Sequence, residues 1–384
     1  MKKKLFDQET VLPDVVENRI DETLALIRMQ NKEHVKSGNI RKMHYRRKMA
    51  AMIAVAMLGI GGTAVAAGVY FHWGRSIEQG MQATDEQKQK LEDEQMVETY
   101  EEDVDYSSLA VTQNGVTVTP TMAIADENYA RVIFTVSGYQ APNHMQPGFV
   151  VQNAYFVDQE EKQPNQYAMF YDGTIMDDEG RSLYDDGSPM ELDENGQVIS
   201  RWVDDQGNME YFIVLSRNDL SGTMIGQTLH VELQNLGYYE DKLGTVTTEV
   251  EGNWNFDLNL PQKSASTALT VGQTVHCGKY SFVLDEIVVS PISTKLNYTV
   301  EKGTEPIDRE RLYEEHPRFW GYVLQDGSRI ICYGGGGSIG VSDERSTDFT
   351  EKAGHRRIVD ADQIAKVLLH TTDGDVLELD VKRS

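Results

Sequence analysis

Val111-Thr112-Gln113-Asn114-Gly115-Val116-Thr117-Val118 is the stretch on which the fold turns. Asn-Gly favours the positive φ angles of a tight hairpin turn, and Val116 and Val118 alternate with polar residues as a half-buried strand requires. Downstream, Ala130-Arg131-Val132-Ile133-Phe134-Thr135-Val136 is a strand run of β-branched and aromatic residues. Further strands are expected over 149–156, 197–203, 209–215, 228–236 and 254–260. Asp172-Gly173, Glu179-Gly180, Asp186-Gly187, Asn195-Gly196 and Gln206-Gly207 punctuate them too closely for helices. After a linker-like stretch at 261–267, strands recur over 280–289, 296–300, 320–324, 329–333, 367–370 and 376–381, with one helical turn at 360–365. Many short strands with acidic and glycine turns predict a mainly β protein with two antiparallel sandwich domains, 106–262 and 263–384.

Upstream, residues 72–105 read as a polar connector. Thr84-Asp85-Glu86-Gln87 fits a capping box, which predicts a short exposed helix over 87–96. Before it, Met49 to Phe71 contains 23 residues without a charge, enough for roughly 34 Å of helix across a hydrocarbon core of about 30 Å. Seven alanines and Gly59, Gly61, Gly62 and Gly68 dilute its apolarity. Ala64-Val65-Ala66 resembles a signal-peptide cleavage site, but the preceding 48 residues far exceed an ordinary n-region. A buried core helix conflicts with the one-sided basic cluster Arg41, Lys42, Arg46, Arg47 and Lys48. By the positive-inside rule that cluster places residues 1–48 in the cytoplasm and 72–384 outside, with Trp73 at the interface. Gly59, Thr63 and Ala67 give the span a small-residue stripe, which ordinary Gly/Ala content also explains.

The chain carries 61 acidic and 36 basic side chains, a net charge of -25, and the excess is all on the far side of the span. Residues 1–48 hold 12 Lys or Arg against 7 Asp or Glu, whereas 72–384 hold 24 against 54. So acidic a region repels phosphate backbones, which argues against nucleic acid as a partner. Within the basic tail, Val16, Ile20, Leu24 and Ile27 recur at helical spacing and line one face of a helix over 13–28. About 16 residues make a marginal helix in water, so the stripe calls for a partner: another tail helix, a second copy or another protein.

The sequence carries few signatures of chemistry. No two of the nine histidines make an HExxH or similar ligand spacing, and two cysteines cannot build a Cys-based zinc site. Gly336-Gly337-Ser338-Ile339-Gly340 matches GxSxG, but 334–337 reads as a flexible loop with polar residues after it, not as a strand-to-helix elbow. Asp185, Asp186, Asp193 and Asn195 could offer oxygens to Ca²⁺, yet they lack EF-hand spacing, and a solvated acidic hairpin explains them better. No cofactor, metal site or enzymatic activity is expected. Cys277 and Cys332 fall in the same expected domain; a bridge would close a loop of about 56 residues, worth about 4 kcal/mol in the chain-entropy account. Two buried free thiols are the equal alternative.

The order of elements is more specific than any one of them. Leu12-Pro13-x-x-Val16-x-x-Arg19-Ile20-x-x-Thr23-Leu24, a basic stop, one span, Thr84 to Gln87 with Leu91, and Thr112-x-Asn114-Gly115-Val116-Thr117-Val118 leading to Ile124-Ala125-Asp126 resemble the domain-of-unknown-function 4179 family of Gram-positive bacteria. The distal Val289-Ser290-Pro291-Ile292-Ser293 resembles the immunoglobulin-like domain that follows in such proteins. The resemblance implies a membrane-anchored negative effector of an extracytoplasmic-function sigma factor. Its cytoplasmic helix would hold the sigma factor while the outer β domains sense an envelope signal. The alternative is a surface protein that adheres to cell wall or a partner, with the tail only an anchor. Without a cytoplasmic cysteine, the zinc-binding type of anti-sigma domain is excluded.

Overall fold

The computed structural model describes residues 73–100, 109–157, 163–178, 180–194, 196–217, 222–240, 244–301, 308–332, 337–341 and 347–383. The expected tail face Val16, Ile20, Leu24 and Ile27 and the expected span 49–71 lie outside the described residues. No described helix is long and apolar enough to cross a membrane.

The protein is mainly β, and its ladders are antiparallel. The expected hairpin forms: Val111–Gln113 pairs with Val116–Ala125, and Asn114 (φ 47°) and Gly115 (φ 87°) take the positive angles that such a turn demands. Val116–Ala125 continues against Tyr129–Ser137, which pairs with Met209–Ser216, which pairs with Asn165–Phe170; Val97–Thr99 forms the opposite edge. A second sheet orders Val246–Asn259, Thr228–Tyr239 and Pro147–Phe156. The two sheets enclose one apolar core. In Val246–Asn259 the buried Trp254, Phe256 and Leu258 alternate with exposed Asn255, Asp257 and Asn259, the period-two pattern of a strand with one wet face. Trp254 meets Phe149 edge-on at 5.6 Å between ring centroids, and Phe149 also meets Phe170 and Tyr211.

A second core lies between two further sheets. One orders Gly337–Val341, Asp348–Gly354, Ser293–Val300, Tyr280–Val289, Thr267–Cys277 and Lys382–Arg383; the other orders Arg329–Ile331, Arg318–Leu324, Ile364–His370 and Val376–Asp380. Phe282, Tyr298, Phe319, Tyr322 and Phe349 fill it.

Several expectations are corrected. Residues 197–203 form isolated bridges, Leu192 with Val198 and Val203 with Met209, in place of a strand. Each begins or ends at a turn whose aspartate accepts backbone N–H groups: Asp193 Oδ1 from Gln197 and Asp204 Oδ1 from Asn208, both at 2.8 Å. Ser338 lies within a strand, and residues 334–336 of the expected loop lie outside the described residues: Gly337–Val341 pairs with Asp348–Gly354, so the backbone runs straight through Ser338 where an elbow would bend. Thr267–Cys277, with its first residue expected to end the linker and the others in no expected strand, is an eleven-residue strand. The N-terminal helices are α1 (Arg75–Glu78) and α2 (Asp85–Asp93). The Thr84 capping box forms as expected, with Thr84 Oγ1 accepting from Gln87 N and Gln87 Oε1 from Thr84 N. Yet the segment is no loose connector, because Trp73, Ile77, Met81, Leu91 and Met96 are all buried.

Candidate functional site

Met209–Ser216 is buried along its whole length. Met209, Tyr211, Ile213 and Leu215 face the first core, while Phe212 and Val214 point the opposite way into a third apolar cluster. A strand covered on both faces needs no polar alternation, and here the second cover is the N-terminal segment 73–100. Trp73, expected at a membrane interface, is part of that cover.

Polar contacts fix the segment in place. Glu210 Oε1 accepts Ser76 N–H at 2.9 Å, and burial raises the Glu210 carboxyl above its ordinary range while its hydrogen bonds with Ser76 pull it down. Arg75 pairs with Asp185 at 2.8 Å and lies over the Tyr171 ring. On the other side, Ile358 N–H donates to Met81 O, Gln87 Nε2 donates to Ile358 O and Lys90 pairs with Asp360. The segment therefore grips strands of the first core and the 355–360 loop of the second at once.

One buried carboxylate joins the two β modules directly. Asp126 Oδ1 accepts the N–H groups of Asn128 and Tyr129, both at 2.7 Å, and Oδ2 accepts the hydroxyls of Ser290 and of Ser293, the latter at 2.5 Å. Burial pushes this carboxyl above its usual range, and the two serine hydroxyls and the Asn128 amide oppose it. The sequence motifs Ile124-Ala125-Asp126 and Ser290-Pro291-Ile292-Ser293 thus meet in space, 164 residues apart at Asp126 and Ser290.

Beside this junction is a cavity of about 270 Å³, walled by the N-terminal segment, the outer face of the first sheet, the Thr174–Met176 hairpin and the second module. Arg131 is its most unusual wall. Its guanidinium lies 3.9 Å from the centroid of the Phe212 ring, its Nε is buried with no hydrogen-bond partner, and burial lowers its pKa. No ion pair within 4.0 Å reaches it from the described residues. The hydroxyl of Tyr171 is likewise buried without a partner, and burial drives its pKa far up. Neither residue stands out in the sequence except as an arginine in an otherwise apolar strand run.

The acidic loop takes a different role from the one its composition offers. Asp185 and Asp186 are held by Arg75 and Arg201, and Asp193 closes a turn. Arg201 stacks on Tyr184 at 3.5 Å, and the side-chain hydrogen bonds of Ser188, ahead of those of Arg201, hold the Asp186 carboxyl down at about 2. Among the described residues no three His, Cys, Asp or Glu side chains gather as a metal site. Cys277 and Cys332 are both free and buried, with Cys277 Sγ 3.4 Å from Thr372 N and burial pushing the Cys332 thiol up. Of the two open readings of this pair, the structure contains the thiols. We expect a thiol reagent to label both cysteines in unfolded, unreduced protein and neither in the folded state; no labelling after unfolding would establish the bridge.

Residues 41–138 match the family described as "Domain of unknown function (DUF4179)". That stretch contains the capping box, the Asn114-Gly115 hairpin, Asp126 and Arg131. No curated protein matches the chain. A solved structure, "The crystal structure of the conserved domain protein from Bacillus anthracis", is similar at 13% identity with a TM-score of 0.40, covering 71% of this chain and 87% of its own.

Proposed function

We propose that this chain, whose residues 41–138 match the family of the domain of unknown function 4179, is a single-pass membrane regulator of a sigma factor. Residues 49–71 cross the bilayer, the basic tail lies in the cytoplasm, and the acidic β region lies outside. The tail face Val16, Ile20, Leu24 and Ile27 holds the sigma factor. The outer region is two antiparallel sandwiches, the second immunoglobulin-like, that sense an envelope signal and catalyse nothing.

One observation supports the regulator over the surface-protein alternative. Residues 73–100, which would leave the membrane first, are built into the outer face of the first sheet and tied to the second module. A protein that merely adheres needs only a tether there. A regulator needs any change in the outer modules to reach the span, and a packed segment transmits displacement where a flexible linker would absorb it.

The test is the double substitution Ile20→Asp, Leu24→Asp in the intact protein. Full burial of each aliphatic side chain against a partner contributes about 1.5 to 3 kcal/mol, and the two new carboxylates would have to be desolvated, so micromolar binding is expected to be abolished. The variant should still reach the membrane, since the span and its basic flank are intact. Sigma-dependent transcription should then rise with no envelope signal, and the sigma factor should no longer copurify. If recovery of the sigma factor and transcription are both unchanged, the tail is only an anchor and the surface-protein reading replaces this one.

A further inference from the structure

We propose that the cavity beside Arg131 binds a small organic carboxylate with a compact apolar body. The region outside the expected span carries more than twice as many acidic as basic residues, yet the cavity wall holds Arg131, Arg356 and Arg357 against one acidic residue, Asp172. Asp172 Oδ1 is occupied by Thr174, whose N–H and hydroxyl both donate to it, and Arg357 is occupied by Asp178 at 2.6 Å. Arg131 has no ion pair within 4.0 Å among the described residues: its Nε is buried without an acceptor, the Phe212 ring lies under its plane, and the buried Glu210 carboxylate acts on it only at longer range. A guanidinium whose Nε is buried without an acceptor is a place for an anion, and its fork suits the two oxygens of a carboxylate. The second polar atom without a partner, the hydroxyl of Tyr171, is a donor on the same wall, on a residue only 5% exposed.

The rest of the wall selects the body of the ligand. Ile77, Met81, Ile124, Met169, Phe212 and Ile292 present hydrocarbon, thioether and aromatic surface, and no described helix of eight or more residues aims its N-terminus here to serve a phosphate. A volume of about 270 Å³ lies just below the usual range of small-molecule sites, so the apolar body is one ring or a short chain. His355 on the same wall is kept neutral at physiological pH, because burial lowers it to about 4, and it neither adds to nor opposes the arginines.

Ligand contact would be shared by Ile77 and Met81 on one side and by Arg131 and Ile292 on the other. A bound carboxylate therefore bridges the N-terminal segment to both β modules and favours whichever packing of the segment completes the site. That occupancy is the envelope signal rests on the regulator reading above; that the site binds a carboxylate does not.

The experiment is calorimetric titration of the full chain in detergent micelles with benzoate, using benzamide and inorganic phosphate as controls. Benzoate should bind saturably and raise the melting temperature, while the uncharged amide and the phosphate should not. Arg131→Gln should weaken benzoate about tenfold to a hundredfold. Tyr171→Phe keeps the ring and removes only the hydroxyl: it should weaken benzoate severalfold while melting no lower than the parent without ligand, which keeps the test decisive if Arg131→Gln fails to fold. No benzoate binding to the parent, equal binding of phosphate or benzamide, or undiminished binding by both variants would overturn the site. In cells, benzoate should change sigma-dependent transcription in the parent and not in Tyr171→Phe at a concentration that saturates only the parent. Binding without that response overturns the signalling role and leaves the site. Failure of the tail substitutions above, by contrast, would leave benzoate binding untouched.

Discussion

Replacing Asp126 with alanine is expected to destabilise the folded β region by about 3 to 5 kcal/mol and to separate the unfolding of its two modules. The carboxylate is the shared acceptor of four donors, two backbone N–H groups of its own turn and the hydroxyls of Ser290 and Ser293 from the other module. A hydrogen bond to a charged group contributes about 1.5 to 3 kcal/mol net, and a buried donor left without an acceptor costs about 1 to 3 kcal/mol. The sum is reduced because alanine also removes a carboxylate whose burial is itself unfavourable, as its raised pKa records. Asparagine should cost much less: its oxygen can keep the Asn128 and Tyr129 amides, and the serine hydroxyls can rotate to accept from its NH₂. Urea unfolding of the full chain, followed by tryptophan fluorescence and far-ultraviolet circular dichroism, measures both effects. Trp254 reports the first core and Trp320 a strand of the second, so coincident transitions in Asp126→Ala with less than about 1 kcal/mol lost would mean that this junction does not join the modules.

What the sequence discloses and conceals follows from how local the chemistry is. Asn114-Gly115 is legible because the turn conformation is decided by those two residues, and the same holds for the Thr84 to Gln87 box. The strand Thr267–Cys277 is hidden because polar Gln273, beside a register shift between Thr270 and Gln273, takes an inward-phase position: Leu269, Val271, Val275 and Cys277 are buried in one period-two series, but the apolar series is interrupted in its middle. The N-terminal segment reads as polar because its buried residues, Ile77, Met81, Leu91 and Met96, are too sparse to make a periodic stripe, and only the two-faced burial of Met209–Ser216 reveals what they cover. Asp126 and Ser290 both stand in recognisable motifs, but that one accepts from the other depends on a contact no spacing encodes. The cavity is less legible still, since Met81, Arg131, Tyr171 and His355 arrive from four separated segments.

Glu351→Gln is expected to make the protein more stable at neutral and alkaline pH by about 3 kcal/mol, with the gain vanishing in acid. Glu351 is buried in the strand Asp348–Gly354, and both its carboxyl oxygens accept Phe319 N–H, at 3.1 and 3.2 Å. Among the described residues no ion pair within 4.0 Å offsets its charge, and burial, ahead of the opposing Phe319 hydrogen bond and the more distant Arg318 charge, lifts its pKa from 4.5 to about 7. Because the folded value exceeds the unfolded one, the folded state holds the proton more tightly between pH 4.5 and 7. The parent therefore loses stability as pH rises through that window, at up to about 1.4 kcal/mol per pH unit, and the loss is complete above it. Glutamine resembles the protonated acid, keeps an oxygen for Phe319 N–H and has no charge to bury, so the two proteins should converge below about pH 4.5. His316 and His355, held near 4 by burial, act in the opposite sense and lose stability for the fold as pH falls below their unfolded value of 6.5. Both proteins share those histidines, so subtracting their denaturation free energies at each pH isolates Glu351. A difference that stays flat from pH 4.5 to 8 would show that the Glu351 carboxylate is stabilised by groups beyond the Phe319 amide and titrates as an ordinary acid.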